Sequence, residues 1–538
     1  MERIKIFILI TLLITGCAKI VAPVGGPKDT TPPVAVKENP KNGVVNFNEK
    51  MIKITFNEFV TLNNPLENII FSPPLSTTAD YTLKGKSLVI KWKDTLRENT
   101  TYSIILADAI KDYTEGNVLS FYQYAFSTGA QIDTLQLSGM IKNAETELPE
   151  KGVFVFLYDR NIDSLPNTMR PTYLTRSNND GRFEFKNVKQ GTYKIFALKD
   201  INSNFIYDLQ NEGIAFQKEL VTPDTNQTIT LAFFNAKDTN QKVLTPINLQ
   251  KGAYKIPLKL SCKSEKSIKT TILYPPDINH HLQLNNSLDT VNYYFYEDFT
   301  DSVVLQVKLT EWNITDTLTL SPFKPPFRST RNKTEQKLGI QSYNSGDLYK
   351  PLTLNFSYPI KSNQNIETII IKKGKETNDT ITERFQVNGG FIKSFTLPYA
   401  FETKESYILI FKDSLFFGWD GTTNDSLVIP FTMKTERDYG NLMIDYLVND
   451  ENINYVIQLL DGNQKLIQQN TISKKEKITY EHLDPGNYKI KVIFDLNGNG
   501  TWDTGNYTKN LQPERILFFE KPISIRGFWD LEETFEIK

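Results

Sequence analysis

Ile52-Lys53-Ile54-Thr55-Phe56-Asn57 puts three apolar side chains on one side of an extended chain and three polar ones on the other, the period of two that a half-buried strand requires. The same alternation returns at Leu88, Ile90 and Trp92, with Val89 and Lys91 turned the other way. Such runs recur at intervals of roughly 8 to 12 residues, with Asn, Gly, Asp and Pro between them, the rhythm of β-sandwiches. Long amphipathic helices are absent from the pattern. The reading is an all-β chain of tandem β-sandwich domains. With 538 residues, it is too long for one core and is expected to divide into roughly three to five domains. The 25 Tyr and 34 Phe suit strands better than helices. Lys plus Arg (61) and Asp plus Glu (62) nearly cancel, leaving no global field to attract nucleic acid, so no nucleic-acid partner is expected.

The N-terminus is read separately. Arg3 and Lys5 precede an apolar stretch, Ile6 to Ile14, too short to span a bilayer, and Ile14-Thr15-Gly16-Cys17 ends it. This resembles a bacterial lipoprotein signal; the alternative is an ordinary secretory signal with an incidental Cys. The resemblance implies cleavage after residue 16 and lipidation of Cys17, whose acyl chains would hold the chain on a membrane. Residues 1–16 are then the signal peptide and 17–29 a lipidated tether, rich in Pro and Gly and extended in character. One further cysteine remains, so folding is expected to proceed without an intramolecular disulfide. In Leu258-Lys259-Leu260-Ser261-Cys262 it falls on the apolar side of an alternating run, as a small buried hydrophobe would.

Two kinds of module follow. Residues 30–129 resemble the bacterial Ig-like domain of S-layer and other envelope proteins, on Thr31-Pro32-Pro33, Asn39-Pro40, Ile54-Thr55-Phe56-Asn57-Glu58, Thr101-Tyr102-Ser103-Ile104 and Tyr124-Ala125-Phe126-Ser127-Thr128. That resemblance implies a spacer or adhesive sandwich and no catalytic residues. Residues 131–232 resemble the carboxypeptidase-regulatory, transthyretin-like sandwich, on Asp180-Gly181-Arg182-Phe183-Glu184-Phe185, Val188 and Gly191-Thr192-Tyr193-Lys194-Ile195. Phe183 and Phe185 are expected on one face, with Gly191 allowing a tight turn. The domain is an accessory in the peptidases that bear it, so the resemblance implies no peptidase activity.

Both modules are read twice along the chain. The stretch from Ile478 through Tyr488 to Asp495 aligns without gaps on Phe183, Tyr193 and Asp200, at a constant offset of 295. A fainter match places Tyr407, Asp413, Gly421 and Phe431 on Tyr102, Asp108, Gly116 and Phe126, each 305 apart. The expected order continues with a β-domain of unknown type at 233–330, closed by a linker Ser321-Pro322-Phe323-Lys324-Pro325-Pro326, a second Ig-like sandwich at 331–436, and a second transthyretin-like domain at 437–538.

The sharpest chemistry lies in this repeat. Asp495, Asn497, Asn499 and Asp503 stand at positions 1, 3, 5 and 9 of a loop with Gly500 at 6, the order in which calcium loops wrap the ion in oxygen. Asp200, Asn202, Asn204 and Asp208 repeat it, with Phe205 in the glycine's place. Both copies carry Asn, Asn506 and Asn211, where position 12 calls for a bidentate Glu. A structural calcium and a self-bonded Asp/Asn turn are the two readings; no cofactor is required by either.

His280 and His281 are adjacent and point to opposite faces of a strand, and His482 lies in a turn, which offers neither a zinc site nor a Ser-His-Asp arrangement. The aromatic runs Tyr293-Tyr294-Phe295-Tyr296 and Phe416-Phe417-Gly418-Trp419 read first as core and second as a sugar platform or docking patch. The expected function is a non-catalytic, lipid-anchored scaffold of the outer membrane in a Bacteroidota-type envelope, with outer-membrane proteins as partners; a surface glycan-binding protein is the alternative, and a hydrolase a more distant one.

Overall fold

The computed structural model describes residues 28–538 except 210, 224–227, 238–239, 286, 297–298, 324–336, 345, 362–363, 374–377 and 388–391. The expected signal peptide, Cys17, the expected tether up to residue 27 and Lys324–Pro326 of the expected linker lie outside the described residues. The chain is all-β and forms two compact units: unit 1 runs to Ala236 and includes Thr504–Pro513, and unit 2 comprises Lys237–Asp503 and Glu514–Lys538.

Unit 1 begins with a sandwich. One sheet has the order Ala35–Asn39, Met51–Phe56, Ser87–Lys91, Asp80–Lys84, and the other Tyr122–Ser127, Thr101–Leu106, Ile69–Ser72. Ile52, Ile54 and Phe56 point into the core with Leu88, Ile90, Trp92, Tyr102, Tyr124 and Phe126, as the period of two requires. Val89 departs from the alternation, being buried as well.

The second sandwich of unit 1 has the strand order Tyr173–Arg176, Phe154–Tyr158, Lys194–Leu198, Gly213–Phe216, Thr228–Asn235, Leu135–Asn143, Arg182–Val188. Phe183 and Phe185 both enter its core. Gly191 does not take a left-handed conformation; the positive φ before this turn belongs to Asn187 (62°), a residue type that tolerates that region. A segment distant in sequence completes the unit. The hydroxyl of Tyr507 donates to the carbonyl of Asp163, Thr504 Oγ1 donates to the carbonyl of Asn235 at 2.8 Å, and Gln512 Nε2 donates to that of Phe216 at 2.8 Å. The Tyr507 ring meets Phe196, Tyr207 and Phe216 edge-on. This departs from the expected 437–538 domain, since residues 504–513 belong with unit 1.

Unit 2 holds three further β-layered cores. In the first, Ile247–Gln250, Ala253–Pro257, Thr290–Phe295 and His280–Leu284 form one sheet and Ile268–Tyr274, Val303–Leu309 and Ile314–Leu320 the other. Cys262 is buried in their shared core beside Tyr293 and Phe295, and burial pushes its thiol up to about 11. The next pairs Asp379–Val387, Gln364–Lys372, Ser406–Phe411 and Leu427–Thr432 in one sheet and Ile340–Asn344, Thr353–Ile360 and Ile392–Thr396 in the other. The last joins Leu466–Ile472, Asn454–Asp461, Gly486–Asp495 and Ile516–Phe518 in one sheet, and Glu476–Leu483, Gly440–Val448 and Asp530–Ile537 in the other.

The internal repeats extend to hydrogen bonds. Tyr102 pairs in register with Phe126, and Tyr407 with Phe431. The Tyr102 hydroxyl accepts from the N–H of Arg97 at 2.9 Å, and that of Tyr407 from the N–H of Glu402 at 3.0 Å. Asn99 and Lys404, at the same offset, both have positive φ. In the other repeat, Tyr193 and Tyr488 each donate to the carbonyl four residues earlier, Lys189 and Asp484, at 2.8 Å. Leu135–Asn143 runs parallel to Thr228–Asn235 and antiparallel to Arg182–Val188. Gly440–Val448 repeats this, parallel to Asp530–Ile537 and antiparallel to Glu476–Leu483.

Candidate functional site

The Asp/Asn loops fold as a matched pair, one in each unit. Asp495 Oδ1 accepts from the N–H groups of Gly498 and Asn499, and its Oδ2 from that of Gly500. Asp200 does the same for Ser203, Asn204 and Phe205. Asn497 and Asn499 donate their amides to Asp503 Oδ2, and Asn202 and Asn204 theirs to the two oxygens of Asp208. The loop geometry needs left-handed residues at two places. Gly498 and Gly500 supply them in one copy, Ser203 and Phe205 in the other, with φ of 60° and 61°. Phe205 therefore takes the glycine's backbone conformation despite the strain on a bulky residue, and its ring packs edge-on against Phe154 at 5.3 Å.

The carboxylate expected at position 12 comes from elsewhere. Glu212 accepts from the N–H groups of Ile201, Asp208 and Leu209; Glu514 accepts from those of Leu496 and Asp503. Both are buried, and burial raises the Glu514 carboxyl above its ordinary value against the pull of those N–H donors. Asn506 instead caps a short 3-10 turn, accepting from the N–H of Lys509. Sequence reasoning missed both glutamates. Glu212 lies one residue past position 12, and its counterpart is displaced by seven inserted residues within Thr504–Pro513.

In this arrangement the polar side chains of each loop bond within the loop, as in a self-bonded Asp/Asn turn. The carboxylate oxygens face N–H donors, and the Asn amides present nitrogen to Asp503 and Asp208. Millimolar calcium is accordingly expected to move the thermal unfolding midpoint by no more than about 1 °C, since a ligand that does not bind the native state adds no stability. A rise of several degrees, abolished in Asp503→Ala, would show that the amides turn to present oxygen.

A second feature lies in unit 2. Gly346 to Leu352, Tyr399 to Phe401, Phe431 and Met433 line a cleft of about 300 Å³. Phe401 packs on Tyr399, Tyr407 and Phe431 with centroids 4.7 to 5.1 Å apart, and the exposed Tyr349 stacks on His482 at 3.6 Å. Asp347 stiffens the rim. It accepts from the N–H groups of Tyr349 and Lys350 and from the Tyr439 hydroxyl. Burial works against its ionisation, but these donors and the Lys350 ammonium outweigh it and hold the carboxyl below its usual range. Its folded value is depressed, so its stabilisation is present above the ordinary aspartate range and lost as pH falls through the depressed value. Denaturant melts of Asp347→Asn and the parent chain are expected to differ most near about pH 7 and to converge as pH falls through the depressed value. The cleft gave no signal in the sequence because its walls come from separate stretches.

The remaining candidates are placed as follows. His280 Nδ1 lies 3.0 Å from the carbonyl of Ile278, and its ring lies against Tyr293; His281 stacks on Tyr294, and burial lowers its pKa. Tyr293, Tyr294, Phe295, Phe416 and Trp419 are buried, while Tyr296 and Phe417 reach the surface, so both aromatic runs serve mainly as core. Among the described residues no helix is long and apolar enough to cross a membrane.

The first sandwich carries the paired tyrosine and a core of alternating strands. Residues 29–128 match the bacterial Ig-like domain. No curated protein matches the chain. Among solved structures, the chain is similar at 11% identity to a region of native alpha-2-macroglobulin from Escherichia coli, over 47% of this chain and 93% of that one, with a TM-score of 0.19. It is similar at 11% to the Bacillus anthracis TIE protein, over 96% and 76%, with a TM-score of 0.14. It is similar at 10% to BcpA, the major pilin subunit of Bacillus cereus, over 75% and 99%, with a TM-score of 0.15. Such TM-scores describe no common overall arrangement; the Ig-like domain stands on its own match.

Proposed function

We propose that the chain is a non-catalytic lipoprotein of the bacterial envelope, anchored through Cys17, whose β-sandwiches scaffold a complex at the outer membrane. The observation that carries this is the run Ile14-Thr15-Gly16-Cys17 placed directly ahead of an Ig-like domain and a series of further β-sandwiches. Support for a non-catalytic role comes from the packing of the reactive side chains: the Cys262 thiol is buried in a core, and the three histidines lie against aromatic rings. An outer-membrane β-barrel assembly or uptake machine is the proposed partner, by analogy of domain type alone. Crosslinking in intact cells, affinity purification and mass spectrometry test this. A reproducible set of outer-membrane barrels supports the scaffold; recovery of the bait alone defeats it. Cys17→Ser is expected to release the protein from membranes, and retention of that variant would overturn the anchor.

The cleft favours a second reading, a glycan-binding protein, because aromatic rings beside fixed polar groups suit a sugar face. Retention on a polysaccharide that is lost in Tyr399→Ala would move the assignment there.

A further inference from the structure

The end of the Ig-like domain at which the described chain begins carries large apolar side chains in the open. Val34 is 56% exposed, Phe59 59% and Tyr113 74%. Hydrogen bonds bring them together. Val34 exchanges two bonds with Asn57, its N–H donating to the Asn57 side chain at 2.7 Å and its carbonyl accepting from the Asn57 N–H at 3.0 Å. Two residues on, the carbonyl of Phe59 accepts from the N–H of Tyr113 at 3.0 Å. Lys86 lies 5.5 Å from the centre of the Phe59 ring while donating to the carbonyl of Asn57 at 2.8 Å.

This end is also rigid. Asp112 accepts from the N–H groups of Thr114, Glu115, Gly116 and Asn117, which fixes the turn that displays Tyr113. The side chain of Asn117 in turn donates to the carbonyls of Asp29 and Thr31 at 3.0 and 3.3 Å, so the entering chain is tied to the same turn. A burial-driven core would have taken these rings in. Their exposure in a preorganised cluster is the form of a contact surface.

Resting on the anchor reading, we propose that this apolar end lies against the bilayer surface to which Cys17 ties the chain. Cys17 and Asp29 are separated by at most about 40 Å of extended chain, so the anchor keeps the point where the chain enters this end of the domain within that distance of the membrane. Tethering at that range makes even weak partitioning effective. The chemistry matches: Phe and Tyr rings enter the headgroup layer, and a neighbouring lysine suits lipid phosphate.

The test uses the full lipidated chain in phosphatidylethanolamine and phosphatidylglycerol vesicles containing a nitroxide-labelled lipid. A fluorophore is placed at Thr114→Cys, beside the patch, or at Glu49→Cys, beyond the far end of the strand Met51–Phe56. Cys262 is buried and escapes labelling. The expected result is quenching at residue 114 roughly twofold or more above that at 49, falling to the level of 49 in Phe59→Ser/Tyr113→Ser. Equal quenching in a protein whose Cys17 peptide carries acyl mass overturns the proposal alone. A Cys17 without acyl mass in a chain that washes off the vesicles overturns the anchor and the proposal together. A signal at 114 that follows protein concentration rather than lipid assigns the patch to a second copy and overturns the membrane contact.

Discussion

Gly139→Ala is expected to lower the stability of unit 1 by about 3 kcal/mol, because overpacking against backbone has no cheap relief. Gly139 sits in the strand Leu135–Asn143, paired with Phe183 on one side and Ile229 on the other. A Cβ there would lie 2.3 Å from the Ile229 carbonyl oxygen and 2.4 Å from the Phe183 ring. The ring is itself buried and packed edge-on to Phe185, so neither neighbour gives way easily. The sign is diagnostic. At an unconstrained strand position Gly→Ala stabilises by about 0.5 to 1 kcal/mol, through entropy lost in the unfolded chain. Urea melts resolved by a probe in unit 1 decide it, with Ser138→Ala as a control expected to stay within about 0.5 kcal/mol. A neutral or stabilising Gly139→Ala would mean that the two strands do not close on that residue.

Asp495→Ala is expected to cost about 3 kcal/mol in unit 2, from the loss of charge-assisted bonds to three N–H groups in a site that admits little water. Asp495 is 2% exposed, and the deletion removes the centre of the turn that Asn497, Asn499 and Asp503 build around. Asp495→Asn keeps one acceptor oxygen and is expected to lose about half as much. Because the chain has several cores, the measurement is the shift of the transition reported by Trp502, whose indole nitrogen donates to the Glu514 carbonyl at 2.9 Å on the same loop, and not a global midpoint. An unchanged transition in Asp495→Ala would show that the loop is not held by its own carboxylate.

The strands were legible because one face of each is buried, which writes a period of two into the residues: Ile52, Ile54 and Phe56 read directly as core. The repeats were legible because the two copies keep the same residues in the same local geometry, Tyr102 and Tyr407, or Tyr193 and Tyr488, making the same bonds to backbone four or five residues earlier. What escaped was whatever depends on backbone conformation or on distance in space. Left-handed Asn187 and Phe205 bear no glycine to mark them, and Glu514 reaches its loop only because seven residues loop out before it. The cleft escaped too, its rings being gathered from Tyr349, Tyr399 and Phe431.

Unit 1 is discontinuous in sequence, with Thr504–Pro513 supplying Tyr507 to the rings of Phe196, Tyr207 and Phe216. A chain made from its N-terminus can form both sandwiches of that unit early, yet the Tyr507 contacts must wait until nearly the whole polypeptide has emerged. The loop to be closed is long, but its entropic cost grows only with the logarithm of length. Arrest of synthesis or proteolytic loss anywhere before residue 504 would therefore leave the face formed by those three rings bare, and completion of the first-made unit becomes a check that the last part of the chain has arrived.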